Sequence, residues 1–114
     1  MRSFIAAMRK CIQPIPLIAN RTGYSGECVL YDVNTLSYDK AKRTARIKAT
    51  IVADSMARAL EIENKLDSAL VTLGDVPLTD TVTTSIRSGG GWMQDGDRHI
   101  RIAYYEIVIR GRNQ

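Results

Sequence analysis

His99 is the single imidazole of the chain, and a general base or a metal site needs more around it than the sequence supplies. No cysteine or second histidine stands at ligand spacing from it, and it opens a strand-like run, so it reads as a structural or surface residue. Ser25 lies in GYSGE, which resembles a nucleophile elbow only in part. The pattern G-x-S-x-G needs glycine where Glu27 stands. The run GGGW, residues 89–92, lacks the lysine and the strand-to-helix placement of a phosphate loop. Asp95 and Asp97 in QDGDR put two carboxylates in a turn. They could touch a cation weakly, but the full calcium-loop pattern is absent. Cys11 and Cys28 match no metal motif. They read as buried free thiols of a reducing compartment, with a disulfide between them as the open alternative. No catalytic, cofactor-binding or metal site is read from these residues, and the chain is read as a non-enzyme.

Two binding chemistries remain. Net charge is +4, and five basic residues fall between Lys40 and Lys48 with no acidic one among them. Lys40, Lys42, Arg46 and Lys48 form a candidate basic row that could attract nucleic acid or an acidic protein surface. The plainer reading is a solvated strand face whose charges discourage edge pairing. Glu61, Glu63 and Asp67 follow downstream and would partly offset the row. Tyr24, Tyr31, Tyr38, Tyr104 and Tyr105 lie at or beside expected strands, where tyrosines could stack bases. The aromatic-glycine signature of sheet-type RNA binders is missing, so packing with a wet hydroxyl is the simpler reading.

The elements that must position these residues are clearest between Lys40 and Gly74. Ala45, Ile47, Ala49, Ile51 and Ala53 alternate with Lys42, Thr44, Arg46, Lys48 and Thr50, the period of a half-buried strand. The period then changes. Met56, Ala59, Leu60, Leu66, Ala69, Leu70 and Leu73 recur at helical spacing. Asp54 or Ser55 can cap the start, and Gly74 followed by Pro77 can close the end of a helix of roughly five turns.

Upstream, residues 2–12 read as a short helix with Phe4, Ile5, Met8, Cys11 and Ile12 on one face. Pro14 and Pro16 end it, and QPIPLIANRTG connects it to a strand over residues 26–33. Residues 34–39 read as a polar turn. Downstream, residues 76–88 and 97–110 read as strands, with SGGGWMQDGD as a glycine-rich loop between them. The parity of the last strand changes. Ile100, Ile102 and Tyr104 share one face and Ile107 and Ile109 the other, which predicts a bulge near Tyr104 or a strand buried on both sides. Trp92, Met93, Tyr105, Ile107 and Ile109 are the candidate interface residues.

With 114 residues, 45% hydrophobic and 25% charged, the chain fits one soluble domain with a single core. No apolar run reaches the roughly 20 residues a membrane span needs. Arg9 and Lys10 interrupt the apolar start, which speaks against a secretory signal. The expected fold is α+β: a two-layer sandwich with helices on one side of a twisted, mainly antiparallel sheet, in the order α-β-β-α-β-β.

In that order the chain resembles the tail terminator, or tail completion, proteins of long-tailed bacteriophages. Four features carry the resemblance: a short first helix before a proline-containing connector; a strand with the core VLYDV, Val29 to Val33; a charged alternating strand running straight into ATIVADSMARALEIENKLDSAL; and the arginine-bearing closing strand HIRIAYYEIVIR after a glycine-rich loop. The resemblance implies a small α/β domain that assembles as a ring, commonly sixfold, on the end of the tail tube. It implies that such a ring stops tube polymerisation and makes the surface that joins the filled head. Implied partners are further copies of the chain, the tube protein, and a head-completion or connector protein, with non-specific contact to passing DNA. No cofactor and no membrane are implied, and the place is the tail or neck of a virion assembled in the host cytoplasm. No individual functional residue carries over, because no invariant site motif is matched. Other readings are a head-completion or baseplate component, a small nucleic-acid-binding module using residues 40–48, and a small enzyme.

Overall fold

A computed structural model describes residues 2–19, 26–38, 42–72, 78 and 82–110. Two helices cover one face of a five-stranded sheet. The elements are α1 (Arg2–Ile12), β1 (Leu17–Ala19), β2 (Cys28–Tyr38), β3 (Lys42–Ala53), α2 (Met56–Leu70), β4 (Val82–Asp95) and β5 (Arg98–Arg110). The sheet order is β1-β2-β3-β5-β4. Only the β1–β2 pair is parallel. Two hairpins, β2–β3 and β4–β5, thus meet along β3 and β5, and α2 carries the chain across to the far edge. This is the α+β architecture expected, with one short strand added where a plain connector was expected.

The alternation in β3 sets the layers. Ala45, Ile47, Ala49, Ile51 and Ala53 are buried against the helices, whereas Thr44, Arg46, Lys48 and Thr50 turn to the other face. Phe4, Met8 and Ile12 of α1, at four-residue spacing, are fully buried with them. Phe4 meets Tyr105 of β5 with ring centroids 6.4 Å apart. Fully burying side chains of this size contributes about 1.5–3 kcal/mol each, so the helical face and the alternating strand fix each other's orientation.

Helix α2 starts where expected and stops early. Ser55, extended at φ −146° and ψ 158°, accepts a hydrogen bond at its Oγ from the backbone N–H of Arg58 at 3.1 Å. That satisfies one of the orphan donors of the first turn. The last helical residue is Leu70, and the extended Val71 follows. Gly74 and Pro77, expected to close the helix, lie outside the described residues. The buried stripe is Ala59, Ile62, Glu63, Leu66 and Leu70. It is rotated from the expected one, leaving Leu60 39% exposed.

Three strand expectations change. Strand β2 runs on to Tyr38 through the expected polar turn, with a register shift between Thr35 and Ser37. Strand β4 runs through the expected glycine loop, and Gly89, Gly90, Gly91, Trp92 and Met93 all have partners on β5. The two-residue turn Gly96-Asp97 closes this hairpin with Gly96 at φ +61°, a glycine-first arrangement that suits a type II′ turn. Strand β5 keeps one register against β3 over its whole length, so no bulge lies near Tyr104. The irregularities sit instead on β4, between Val82 and Thr84 and between Arg87 and Gly89. The mixed parity of β5 reflects two half-apolar faces: Ala103, Tyr105, Ile107 and Ile109 are buried under the helices, and Ile100, Ile102, Tyr104 and Val108 are half-buried on the other face.

Candidate functional site

The strongest polar feature lies between α2 and the β4–β5 hairpin. Glu63 sits within the apolar stripe of α2, and Asp67 is one turn further along the same face. Arg101 and Tyr105 are four residues apart on the helix-facing side of β5, and Arg87 joins them from β4. Glu63 accepts at Oε1 from Arg101 Nε at 2.9 Å, and at Oε2 from Arg87 Nη2 at 2.6 Å and Arg101 Nη2 at 3.2 Å. Asp67 accepts from Arg87 Nη1 at 2.9 and 3.0 Å and from the Tyr105 hydroxyl at 2.6 Å. Two carboxylates and two guanidiniums balance in charge. The Arg87 guanidinium also lies 5.9 Å from the centre of the Tyr105 ring.

The electrostatics follow from this geometry. Burial alone would raise the Glu63 carboxyl, but the hydrogen bonds and charges of Arg101 and Arg87 outweigh it and hold its pKa below the usual range. Burial would lower Arg87, and Glu63 and Asp67 together reverse that and raise it. Burial, reinforced by the hydrogen bond to Asp67, pushes the Tyr105 phenol far up. Glu63, Arg87 and Tyr105 are therefore held in their ordinary charge states. Groups locked in this way clamp the hairpin to the helix; they do not exchange protons at neutral pH.

From the sequence, Glu63 and Asp67 are expected to offset the basic row. The structure turns both inward to Arg87 and Arg101, and only Glu61 stays on the outside, where it pairs with Arg58 at 2.5 Å and Lys65 at 4.0 Å. Arg58 also donates to Glu27 at 3.0 Å, and that bond is the main reason its pKa is raised. The signal for the clamp was available. Glu63 interrupts a helical apolar stripe, and Arg101 shares the strand parity of Ala103, Tyr105 and Ile107.

Of the candidate interface residues, Trp92 and Met93 are 51% and 50% exposed. Trp92 stands opposite Arg101 on the helix side of the sheet, and Met93 opposite Ile100 on the open side. Tyr105 and Ile107 are fully buried, and Ile109 is 7% exposed. Their side chains pack inside the domain, beneath the helices, and are spent there, so they offer no surface to a neighbour. The structure does not bring the five together.

In the candidate basic row, Lys40 lies outside the described residues, as does the side chain of Lys42. Arg46 and Lys48 share the open face of the sheet. Arg46 donates to Glu106 across β3–β5 at 3.4 Å and lies 5.9 Å from the centre of the Tyr104 ring. Lys48 stands opposite Asp32 of β2 in the ladder. Glu106 thus bonds to the row from one side, while Asp32, whose Oδ1 accepts from the Val33 N–H at 3.0 Å, stands across the ladder on the other. The rest of the open face carries Ile86, Ile100, Ile102, Tyr104 and Val108, and Ile86 is 48% exposed.

His99 is half-buried and its Nδ1 has no partner among the described residues. Cys11 and Cys28 are free thiols, both raised in pKa by burial. The Cys11 thiol donates to the Met8 carbonyl at 3.2 Å. Among the described residues no helix is long and apolar enough to cross a membrane.

The fold has a counterpart among solved structures. It is similar to a chain in the virion of the native gene transfer agent particle, with a TM-score of 0.63 and 16% sequence identity, over 93% of this chain and 86% of that one. At that identity the likeness is one of fold. No protein-family model and no curated protein matches the sequence.

Proposed function

We propose that this chain is a non-enzymatic structural protein of a virion that caps a phage-type tail tube, ends its polymerisation and forms the surface joining the tail to the filled head. It works as a ring of copies, commonly six, at the tail or neck of the particle. The observation that carries the reading is the fold likeness, over nearly the whole chain, to a component of a gene transfer agent virion. The resemblance of the sequence to tail terminator proteins points the same way. The partners are the tube protein on one side of the ring and a head-completion or connector protein on the other.

The physical features fit such a role. A ring needs two different patches on each copy, one meeting the other on the next copy. The half-exposed Trp92 and Met93 and the partly apolar open sheet face are surfaces of that kind. Arg46 and Lys48, partly balanced by Glu106 and Asp32, suit weak contact with an acidic tube end or passing DNA without base readout.

The test mixes purified protein with purified tail tubes of the particle that encodes it, followed by light scattering and negative-stain imaging. Closed rings seated on tube ends are expected, even where the protein alone stays smaller. Protein bound along the tube walls, or absent from the tubes at saturating concentration, contradicts the reading.

A further inference from the structure

Strand β4 forms one edge of the sheet. At its start the edge is covered: Thr72 pairs its N–H with the Ser85 carbonyl at 2.9 Å, and its Oγ1 accepts from the Ser85 N–H at 3.2 Å. From Ile86 to Gln94, no described residue pairs with the backbone on the outer side. The Gly89 carbonyl accepts from Arg87 Nε at 2.7 Å. Proteins ordinarily blunt such an edge with charge or proline. Ser88 to Gln94 reads SGGGWMQ, with neither.

The glycines of this edge do not share one cause. A Cβ on Gly90 would sit 2.5 Å from the Ile102 carbonyl oxygen and would collide with the Arg87 guanidinium, so the fold itself requires glycine there. A Cβ on Gly91 would meet nothing within 4 Å, and one on Gly89 would meet only the Tyr104 ring at 3.8 Å. Nothing in the chain's own packing calls for glycine at Gly91, whereas Gly89, beside the register shift of β4, holds φ +159°, a conformation that L side chains rarely adopt. Glycine within a strand weakens it and often marks a bulge, as at Gly89, or a place where another backbone comes close.

The edge is also complementary to itself. Laid antiparallel against a second β4 about Gly91, it sets Trp92 opposite Gly90 and Met93 opposite Gly89. Directly opposed residues share a face. Trp92 and Gly90 both lie on the helix side, opposite Arg101 and Ala103 of β5. Met93 and Gly89 both lie on the open side, opposite Ile100 and Tyr104. Met93 would thus face a position without a side chain, and Trp92 would face the Arg87 guanidinium that lies over Gly90.

We propose that β4 pairs antiparallel with β4 of a second copy, about a two-fold axis at Gly91, joining two sheets into one. Such a contact closes on itself and makes pairs. It uses Trp92 and Met93, which the ring reading also uses, but its two-fold symmetry differs from the head-to-tail contacts of a ring and it stands without that reading.

The test uses the whole chain with Gly91→Lys and Gly91→Cys, each checked for an unchanged fold by circular dichroism. Light scattering of the unmodified protein should give twice the chain mass of 12.7 kDa. Gly91→Lys should weaken self-association at least about tenfold, because a charge at a paired edge opposes pairing. Gly91→Cys should form, under mild oxidation, a disulfide that peptide mapping assigns to the two introduced thiols. A strict monomer at high concentration, or self-association indifferent to Gly91→Lys, overturns the proposal. A closed ring in which Gly91→Cys forms no such bond overturns the pair and leaves the ring reading standing.

Discussion

Glu63→Gln is expected to cost about 3 kcal/mol of stability, because it removes one partner of a buried ion network and leaves the others in place. The glutamine keeps the size of the side chain and loses its charge. Arg87 and Arg101 would then share the single carboxylate of Asp67, and Arg101 has no described bond to Asp67. In a domain of ordinary stability this is a large fraction of the total, and the melting temperature should fall by about 10 °C. Asp67→Asn should cost less, since Asp67 is more open to water than Glu63. Replacing Glu63, Asp67, Arg87 and Arg101 together by apolar residues of similar size should cost less than Glu63→Gln alone, because no uncompensated charge remains.

The same substitution carries a pH signature. The folded pKa of Glu63 lies below its unfolded value. Its contribution is therefore fully present above the unfolded value, about 4.3, and is lost as pH falls through the folded value. Chemical denaturation of the two proteins should give a constant stability difference between about pH 5 and pH 8, narrowing below about pH 4. A difference that widens on acidification would contradict the assigned network.

Gly90→Ala has the second large effect, about 2 kcal/mol or more. The added methyl would meet the Ile102 carbonyl at 2.5 Å and the Arg87 guanidinium. Ile102 lies in β5, paired on both sides, so its carbonyl cannot retreat without opening the β4–β5 ladder. Arg87 is pinned by Glu63 and Asp67 and cannot swing aside without breaking the clamp. Gly91→Ala, one residue along, meets nothing, and in the isolated chain it should be neutral or stabilising by up to about 1 kcal/mol. Amide hydrogen exchange should show the distal part of β4 losing protection in Gly90→Ala and keeping it in Gly91→Ala. Equal effects at the two glycines would contradict the packing described.

What could be read from the sequence follows from where local pattern and tertiary structure agree. In β3 and at the start of α2 they agree. The alternation from Thr44 to Ile51 is unbroken, and Ser55 supplies a cap that acts within three residues of itself. In β4 they conflict. Three consecutive glycines have no strand preference of their own, and the strand exists because β5 offers a continuous partner to which β4 is zipped from the Gly96-Asp97 turn. That information lies in pairing, which a single strand's composition does not contain. The same holds for the interface. Tyr105, Ile107 and Ile109 look free to serve a partner until α1 and α2 are laid over them. Glu63, expected to offset the basic row, is instead a buried member of the α2 stripe, and its partners Arg87 and Arg101 lie on β4 and β5, where sequence distance hides them.

The reading of this chain as a tail-capping virion protein is tested most directly by the length of the tails made without it. Particles from a producer lacking this chain should show, by negative-stain electron microscopy, tubes of irregular and excessive length with filled heads unattached, and the intact chain supplied in trans should restore both. Tails of normal length joined to filled heads in its absence would contradict the account.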